Sequence, residues 1–342
     1  MTFSPDTSIA VAGAGSVGCY VGGLLAASGR NVTLLLRAPL AETIGRHGVR
    51  VSDLNGRDQT LSPTALTLTS DPEAALRAAD VILVTVKSRD TASMAALIGT
   101  HAPKDAVVVS LQNGVENAAV LRRALGPDHR VVDAMVPFNV VQKTSNGEAP
   151  RFHRATSGTM RLENNVAGLR DLLDAPDAPF AEHADIEAAL WGKLLVNLNN
   201  ALNALSDLPL AQQLGDPRWR RLISRQMREG LAVLRAAGIH PAGVEGVPPR
   251  LIALALLLPD TLFRIAAKGM LAVDQNARSS MWEDLRMGRP TEIDYLQGEI
   301  VRQAEKYGVA APLNRRVLQL VKEAEKAQKG SPALSPETIG GA

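Results

Sequence analysis

Continuous apolar runs alternate with helical patterns in the first third of this chain, and this alternation most constrains the fold. The runs are SIAVAGAG (8–15), NVTLLLR (31–37), DVILVTVK (80–87) and AVVVSLQNG (106–114). Such runs are typical of parallel strands buried on both faces, and the helices between them imply right-handed crossovers. The pattern therefore predicts a doubly wound α/β sheet. Shorter runs over 130–163 predict further, partly antiparallel strands that extend this sheet.

The strand patterns end near residue 184, and only helical patterns follow. These cover 186–206, 217–237, 249–267, 277–287, 292–307 and 312–328. We therefore expect a sheet domain over 1–184 and an all-helical domain over 185–342. Gly, Pro and Ser near the end predict a flexible tail over 328–342. Open α/β sheets bind ligands at the carboxyl ends of their strands, so we expect the site in a cleft beside the helical domain.

Charge and apolar content exclude several classes of protein. The chain has 37 Lys and Arg against 35 Asp and Glu. This net charge of +2 is too small to favour binding to nucleic acid or to an anionic membrane. Cys19 is the one cysteine, the start resembles no signal peptide, and no apolar run spans a bilayer. We expect a soluble, cytoplasmic protein without a metal site. The apolar segment 249–273 leaves open an internal core or a homodimer contact.

A glycine-rich hexapeptide follows the first predicted strand and opens a helical pattern. Its residues are Gly13, Ala14, Gly15, Ser16, Val17 and Gly18, which match G-x-G-x-x-G. In this context Gly13 permits a tight turn, Gly15 lets the backbone approach a pyrophosphate, and Gly18 lets the helix pack close to the sheet. The helix start also offers unpaired N–H groups to phosphates. The hexapeptide predicts a dinucleotide site; the alternative is a glycine-rich turn that binds nothing.

Polar residues end the next three strand patterns on the same predicted edge. Arg37 stands where NAD-binding units place an acid for the ribose 2′-OH, and an arginine there favours the 2′-phosphate of NADP(H). The alternative is an arginine that ends a strand in solvent. Lys87 and Asn113 are expected on the nicotinamide side of the cofactor. The Asn113-Gly114 pair also suits an ordinary turn.

A narrow polar lane follows one face of the apolar helix predicted over 186–206. At about 100° per residue, Asn197 lies about 40° from Lys193 and Asn200 about 20° on the other side. Asn199 points elsewhere, and Asn203 lies further round. The lane suits one side of a substrate-binding pocket, in which an ammonium group donates a proton and amides bind a hydroxyl or carboxylate. The alternative is a hydrogen-bond ladder between helices beside a surface lysine.

A second polar cluster surrounds the turn in SSMWEDLRMGRPTEIDYLQGEI, residues 279–300. Its candidate residues are Ser279, Ser280, Asp284 and Glu292. Thr291 also suits a helix N-cap with Glu292 in the first turn. The two interpretations are compatible, because a helix start can aim Glu292 into a cleft.

Taken together, these segments resemble the ketopantoate reductase (2-dehydropantoate 2-reductase) family over nearly the whole chain. The matching motifs are VAGAGSVG, LLLR, VTVKS, LQNGVEN, WGKLLVN, SSMWEDLRMGRPTEIDYLQGEIV and YGVAAPLNRRV. The resemblance implies a Rossmann-like domain followed by a helical domain. It also implies NADPH-dependent reduction of ketopantoate to pantoate, on the route to pantothenate and coenzyme A.

The resemblance also implies roles for single residues. It makes Lys193 the general acid of the hydride step and gives Glu292 a place beside substrate and cofactor. The other matching positions are Asn197 and Ser280 toward the substrate, and Arg37, Lys87 and Asn113 in the cofactor loops, with Asn113 also expected to reach the substrate.

One departure from the family pattern concerns the substrate. The family commonly has a second asparagine two turns after the catalytic lysine, and Ala201 occupies that position here. Asn200, on the face of the lysine, is expected to substitute. This departure leaves open a reductase of another branched 2-keto acid. A non-catalytic protein that senses NADP(H) is a separate alternative.

Overall fold

The computed structural model describes residues 3–4, 6–145, 147–176, 178–266 and 277–341. The chain divides into two compact units, Met1–Ile186 and Glu187–Ala342. Within the described ranges, no helix has both the length and the apolar character that crossing a bilayer requires.

The first unit is a mixed α/β domain. Its strands are β1 Ser8–Ala12, β2 Asn31–Leu35, β3 Val49–Asp53, β4 Asp58–Leu61, β5 Thr67–Thr69, β6 Val81–Val84, β7 Val107–Ser110, β8 Arg130–Met135, β9 Val140–Lys143, β10 Arg151–Arg154, β11 Met160–Glu163 and β12 Phe180–His183. Its α-helices are α1 Ser16–Ala27, α2 Ala38–His47, α3 Pro72–Leu76, α4 Thr91–His101, α5 Asn117–Leu125 and α6 Leu169–Leu173. Two 3₁₀ turns, Pro63–Ala65 and Ser88–Asp90, complete it.

The large sheet has the order β12-β11-β8-β7-β6-β1-β2-β5. Its six strands from β8 to β5 are mutually parallel. Every residue of β6 and β7 is buried. Helices cover both faces of the sheet centre, so neither face of these strands is exposed to solvent. The predicted doubly wound, Rossmann-like sheet is confirmed. β11 runs antiparallel to β8, as expected for the later strands.

The prediction that all later strands extend this sheet is wrong for one segment. β10 instead belongs to a second sheet with the order β4-β3-β10-β9. It pairs parallel to β3 and antiparallel to β9. This pairing joins residues about a hundred positions apart, so no local pattern could reveal it.

The regular elements of the second unit are helices, among the residues that the structure describes. Its α-helices are α7 Ile186–Asn197, α8 Asn199–Ser206, α9 Leu210–Gly215, α10 Pro217–Ala236, α11 Pro249–Ala255, α12 Asp260–Ala266, α13 Ser280–Arg286, α14 Gln297–Tyr307, α15 Pro312–Ala327 and α16 Pro336–Gly340. A 3₁₀ turn, Ile293–Tyr295, precedes α14.

Four predicted helices are shorter or divided in the structure. The helix predicted over 249–267 is divided into α11 and α12 within the described residues. The helix predicted over 186–206 is interrupted at Leu198, and the one predicted from 292 is divided at Leu296, whose ψ of −88° is not helical. α13 begins later than predicted because Ser279 is its N-cap, with its hydroxyl accepting from Trp282 N at 3.2 Å.

The segment predicted as a flexible tail makes tertiary contacts in the described residues up to 341. α16 buries Ile339 fully, and Leu334 N donates to Leu205 O at 2.8 Å. Arg316 donates to the carbonyls of Thr338 and Ile339. Pro and Gly suggested a frayed end, but these tertiary contacts satisfy the backbone of the segment.

The apolar segment predicted over 249–273 lies partly outside the described residues, which stop at 266 and resume at 277. Within α11 and α12, Leu251, Leu254, Leu262 and Ile265 are exposed in the single chain. The homodimer stays a prediction.

Candidate active site

The carboxyl ends of β1, β2, β6 and β7 form one edge of the large sheet, because these strands are parallel neighbours. The glycine hexapeptide follows β1, Arg37 follows β2, Lys87 follows β6, and Asn113 follows β7. The structure thus gathers all the cofactor residues predicted for the first unit at a single edge. In doubly wound sheets this is the edge where nucleotides bind.

Close packing explains two of the three motif glycines. Gly13 has φ +78°, and a Cβ there would lie 2.1 Å from Val86 Cγ1. A Cβ on Gly18 would lie 2.4 Å from Thr85 Oγ1 and 2.9 Å from Val11 Cγ1. These two positions let the turn and the helix approach the sheet closely.

Gly15 differs from the other two motif glycines. It is exposed, and a Cβ there would meet no described atom within 4 Å. Gly15 is also the N-cap of α1, where no side chain caps the first N–H groups. Ala14 is buried, while Ser16 and Val17 are half-buried. An open backbone with uncapped helix donors suits a pyrophosphate, so the loop fits a dinucleotide.

Cys19 in the first turn of α1 is a packed residue. It is fully buried, and its thiol donates to Ala14 O at 3.3 Å. Burial raises the pKa of the Cys19 thiol. Cys19 is therefore a small residue packed against its neighbours, and it is not placed as a reactive thiol.

Arg37 is exposed at the start of α2, directly after the second strand. Leu36 N donates to Thr69 O at 2.9 Å, which fixes the backbone just before the arginine. The guanidinium has no hydrogen-bond or ion-pair partner among the residues the structure describes. It is therefore available to an anionic ligand at this edge of the sheet.

A buried polar network joins the loops of Lys87 and Asn113, both half-buried. Ser88 Oγ donates to Asn113 O at 2.8 Å, and Asn117 Nδ2 donates to the same carbonyl at 2.6 Å. Gln112 Nε2 donates to Val86 O at 3.0 Å. The network holds the ends of β6 and β7 in fixed register beneath the two residues.

Sequence reasoning missed the members of this network. They are Ser88, Thr91, Gln112 and Asn117, all buried. A usable signal was present, because four polar residues lie at the ends of otherwise apolar strands and in the first turns of the next helices. Buried polar side chains require partners, so such a group predicts a network.

Lys193 is the buried cation of the helical unit. It lies on α7 with 9% of its surface exposed. Burial lowers the pKa of Lys193 to about 8, and the carboxylate of Glu292 opposes that shift. The two groups are thus electrostatically coupled within one unit. A lysine with a pKa near neutrality can hold a proton and also give it up.

The asparagines that follow Lys193 fall into two groups. Asn197 and Asn200 are half-buried, on either side of the interruption at Leu198. Asn199 Nδ2 donates to Gln213 Oε1, and Asn203 bonds Leu208 O, Gln213 Oε1 and Ser279 N. Asn199 and Asn203 therefore form the ladder between helices, whereas the side chains of Asn197 and Asn200 make no such bond among the described residues.

The later polar cluster divides in the same way. Ser279 is buried and caps α13, whereas Ser280 is exposed at the first position of that helix. Asp284 is buried against Arg289 at 3.2 Å. Glu292 is half-buried at the start of the 3₁₀ turn, and Thr291 Oγ1 accepts from Ile293 N at 3.2 Å. Ser280 and Glu292 are thus the two that stay accessible.

Comparison with known proteins places these features in a family. The family model "Ketopantoate reductase PanE/ApbA" matches residues 9–165, and the model of its C-terminal region matches residues 185–325. A 2-dehydropantoate 2-reductase of Halobacterium salinarum is 31% identical over 328 residues, which cover 93% of this chain and 99% of the relative.

Solved structures agree with this placement. A PanE/ApbA family ketopantoate reductase from Ralstonia eutropha JMP134 is 32% identical with a TM-score of 0.77, covering 94% of this chain and 100% of that one. A D-mandelate dehydrogenase, solved with NADH and anilino(oxo)acetate, shares the fold at 23% identity with a TM-score of 0.74. That match covers 94% of this chain and 99% of the other.

Proposed function

The chain belongs to the ketopantoate reductase family and is a nicotinamide-dinucleotide-dependent oxidoreductase, and from this premise we propose its reaction. It reduces 2-dehydropantoate to pantoate with NADPH, on the route to pantothenate and coenzyme A. Lys193 donates the proton. The observation that carries the proposal is Lys193 itself: a buried lysine with a pKa of about 8, coupled to the carboxylate of Glu292.

The proposed chemistry follows from the charge that develops on the substrate. Bound NADPH supplies the hydride that reaches the keto carbon, and the keto oxygen then gains negative charge. The ammonium group of Lys193 stabilises that charge and transfers its proton to the oxygen. Glu292 keeps the lysine protonated near neutral pH, because a nearby anion favours the charged amine.

Substrate recognition is assigned to the polar lane beside Lys193. Asn197 and Asn200 present amides that can bind the carboxylate and the hydroxyl of a hydroxylated 2-keto acid. Asn113 and Ser280 are proposed as further contacts. Ala201 is fully buried and carries no polar group, so Asn200 takes the part of the asparagine common in the family.

Cofactor recognition is assigned to the edge of the large sheet. The hexapeptide Gly13–Gly18 and the start of α1 bind the pyrophosphate, and Arg37 binds the 2′-phosphate. Lys87, Asn113 and Glu292 act on the nicotinamide side. The exposed guanidinium of Arg37 supports NADPH over NADH. No acidic residue stands at that strand end to accept a hydrogen bond from the ribose 2′-hydroxyl of NADH.

A second candidate function is the reduction of a different branched 2-keto acid. The buried Ala201 favours it, because an apolar residue replaces a polar one near the proposed substrate lane. The two candidates differ in substrate and share their chemistry.

Oxidation of NADPH by the purified protein tests the proposal and separates the candidates. Ketopantoate is compared with other branched 2-keto acids, and NADH replaces NADPH as a control. Turnover with the highest kcat/KM for ketopantoate and NADPH supports the proposal. Preference for another keto acid selects the second candidate, and preference for NADH refutes the role of Arg37.

A further inference from the structure

Thr291, directly before Glu292, is clamped by a carboxylate from another helix. Its backbone N and its Oγ1 both donate to Glu325 Oε1 on α15, each at 2.7 Å. Its Oγ1 also accepts from Ile293 N at 3.2 Å. Thr291 is buried, with 6% of its surface exposed. The residues on both sides of Glu292 are therefore fixed by hydrogen bonds.

Glu325 is itself oriented by neighbouring charge. Its Oε2 lies 3.5 Å from Lys322 Nζ, and its side chain is 15% exposed. Lys322 also pairs with Asp294 of the 3₁₀ turn. Hydrogen bonds to an ionised carboxylate are stronger than those between neutral groups, so this largely buried carboxylate is a rigid anchor.

We propose that Glu325 is a positioning residue, which holds the Thr291–Ile293 turn so that the carboxylate of Glu292 stays directed at Lys193. This inference rests on the proposed function for its consequence in catalysis. Loss of the hydrogen bonds from Thr291 to Glu325 makes the turn mobile, so the carboxylate of Glu292 is close to Lys193 for a smaller fraction of the time. The negative charge that keeps Lys193 protonated then acts on it more weakly.

The direction of the effect follows from the charged groups involved. Glu292 is a charged group that acts on Lys193, and its effect favours the protonated amine. Lys322 and Asp294 are the charged groups beside the clamp. They carry opposite charges and pair with each other, so their fields largely cancel. A weakened Glu292 field therefore lowers the pH at which Lys193 loses its proton.

Two substitutions at Glu325 separate hydrogen bonding from charge. Glu325→Ala removes the acceptor, whereas Glu325→Gln keeps an oxygen that can accept both bonds from Thr291. Glu323→Ala, at an exposed position of the same helix, is the matched control. Thr291→Ser and Thr291→Val form a second pair, which keeps or removes the hydroxyl if Glu325→Ala does not fold.

Two readouts are needed on the full chain. The first is the pH dependence of kcat for NADPH-driven reduction of ketopantoate. The second is the pH dependence of Lys193 acetylation by a small reagent, followed by peptide mass spectrometry, which requires no turnover. For Glu325→Ala we expect both profiles to move by about half a pH unit to lower pH, equivalent to about a threefold loss of protonated lysine on the alkaline side.

The controls decide the interpretation. Glu325→Gln, Glu323→Ala and Thr291→Ser should keep the wild-type profiles, and Thr291→Val should shift in the direction of Glu325→Ala. Unchanged profiles in Glu325→Ala would overturn the inference. Equal shifts in Gln and Ala would also overturn it, since they would assign the effect to charge. A wild-type protein that does not reduce ketopantoate refutes the proposed function, while the acetylation profiles still test the clamp.

Discussion

Gln297 Nε2 donates a hydrogen bond to the backbone carbonyl of Leu198 at 2.7 Å. Gln297 is the fully buried first residue of α14, and Leu198 is the interruption between α7 and α8. The bond thus joins the helix after Glu292 to the point between Asn197 and Asn200. It makes Gln297 a structural support of the polar lane beside Lys193.

Gln297→Leu should therefore affect stability and substrate binding together. Loss of one buried donor leaves the Leu198 carbonyl without that partner and costs about 1–3 kcal/mol of unfolding free energy. We also expect the KM for the keto acid to rise while the KM for NADPH stays constant. Urea unfolding and steady-state kinetics measure both effects. Gln303→Leu is the control, because that half-buried amide bonds only Glu299 of its own helix among the described residues.

Removal of the Lys193 amine should separate chemistry from cofactor binding. Lys193→Ala should lower kcat about 10²- to 10⁴-fold, the usual contribution of a general acid. Its affinity for NADPH, measured by fluorescence titration, should stay nearly unchanged, because the proposed pyrophosphate and 2′-phosphate contacts lie in the first unit. Turnover equal to that of the wild type would rule out Lys193 as the proton donor.

Lys193→Met should stabilise the protein while it inactivates the enzyme. The folded-state pKa of about 8 lies below the ordinary value of 10.5, so burial of the amine opposes folding at neutral pH. An apolar side chain of similar length removes that cost and should raise the free energy of unfolding by about 1–3 kcal/mol. Thermal unfolding of both proteins at pH 7 measures the gain, and a loss of stability would contradict the buried-charge explanation.

The pH dependence of catalysis should have a defined sign. Because Lys193 is the proposed general acid, kcat for keto acid reduction should fall as pH rises through about 8. Stability should change in the opposite direction. Between about pH 8 and 10.5 the amine of residue 193 is protonated in the unfolded chain but largely neutral in the folded one. The free energy of unfolding should therefore rise with pH over this range. Rate profiles and urea midpoints over pH 6–10 test the two trends, and a rate that increases above pH 8 would exclude an acid role.

Arg37→Ala should reduce the preference for NADPH. Charge-assisted hydrogen bonds to a phosphate are worth about 1.5–3 kcal/mol, so kcat/KM for NADPH should fall about 10- to 100-fold. The value for NADH should change little. Arg46→Ala on the same helix is the control, because that arginine forms an exposed pair with Glu42. Equal losses with both cofactors would show that Arg37 does not contact the 2′-phosphate.

The two groups of asparagines should respond differently to substitution. Asn203→Ala removes bonds to Leu208 O and Ser279 N in a fully buried place and should destabilise the protein by about 2 kcal/mol. Asn200→Ala should raise the KM for the keto acid with little loss of stability. Thermal unfolding and kinetics of both variants check the division, and a stable Asn203→Ala with a raised KM would reverse the assignments.

Local patterns in the sequence determined much of this protein. Continuous apolar runs predicted the parallel strands because burial on both faces leaves no polar alternation. The hexapeptide Gly13–Gly18 and Arg37 were placed correctly at one sheet edge, since parallel strands with helical crossovers end on the same side. The spacing of Lys193 and Asn197 also placed them on one helix face, because four residues span about one turn.

Only the tertiary structure decided which polar residues support others. The bond from Gln297 to Leu198 joins residues 99 positions apart, and the clamp of Glu325 on Thr291 joins residues 34 apart. The second sheet and the packed C-terminal residues also depend on partners from distant parts of the chain. The periodicity of a segment indicates which of its faces is buried. A hydrogen bond between distant segments depends on how the folded chain brings those segments together, and no local pattern contains that information.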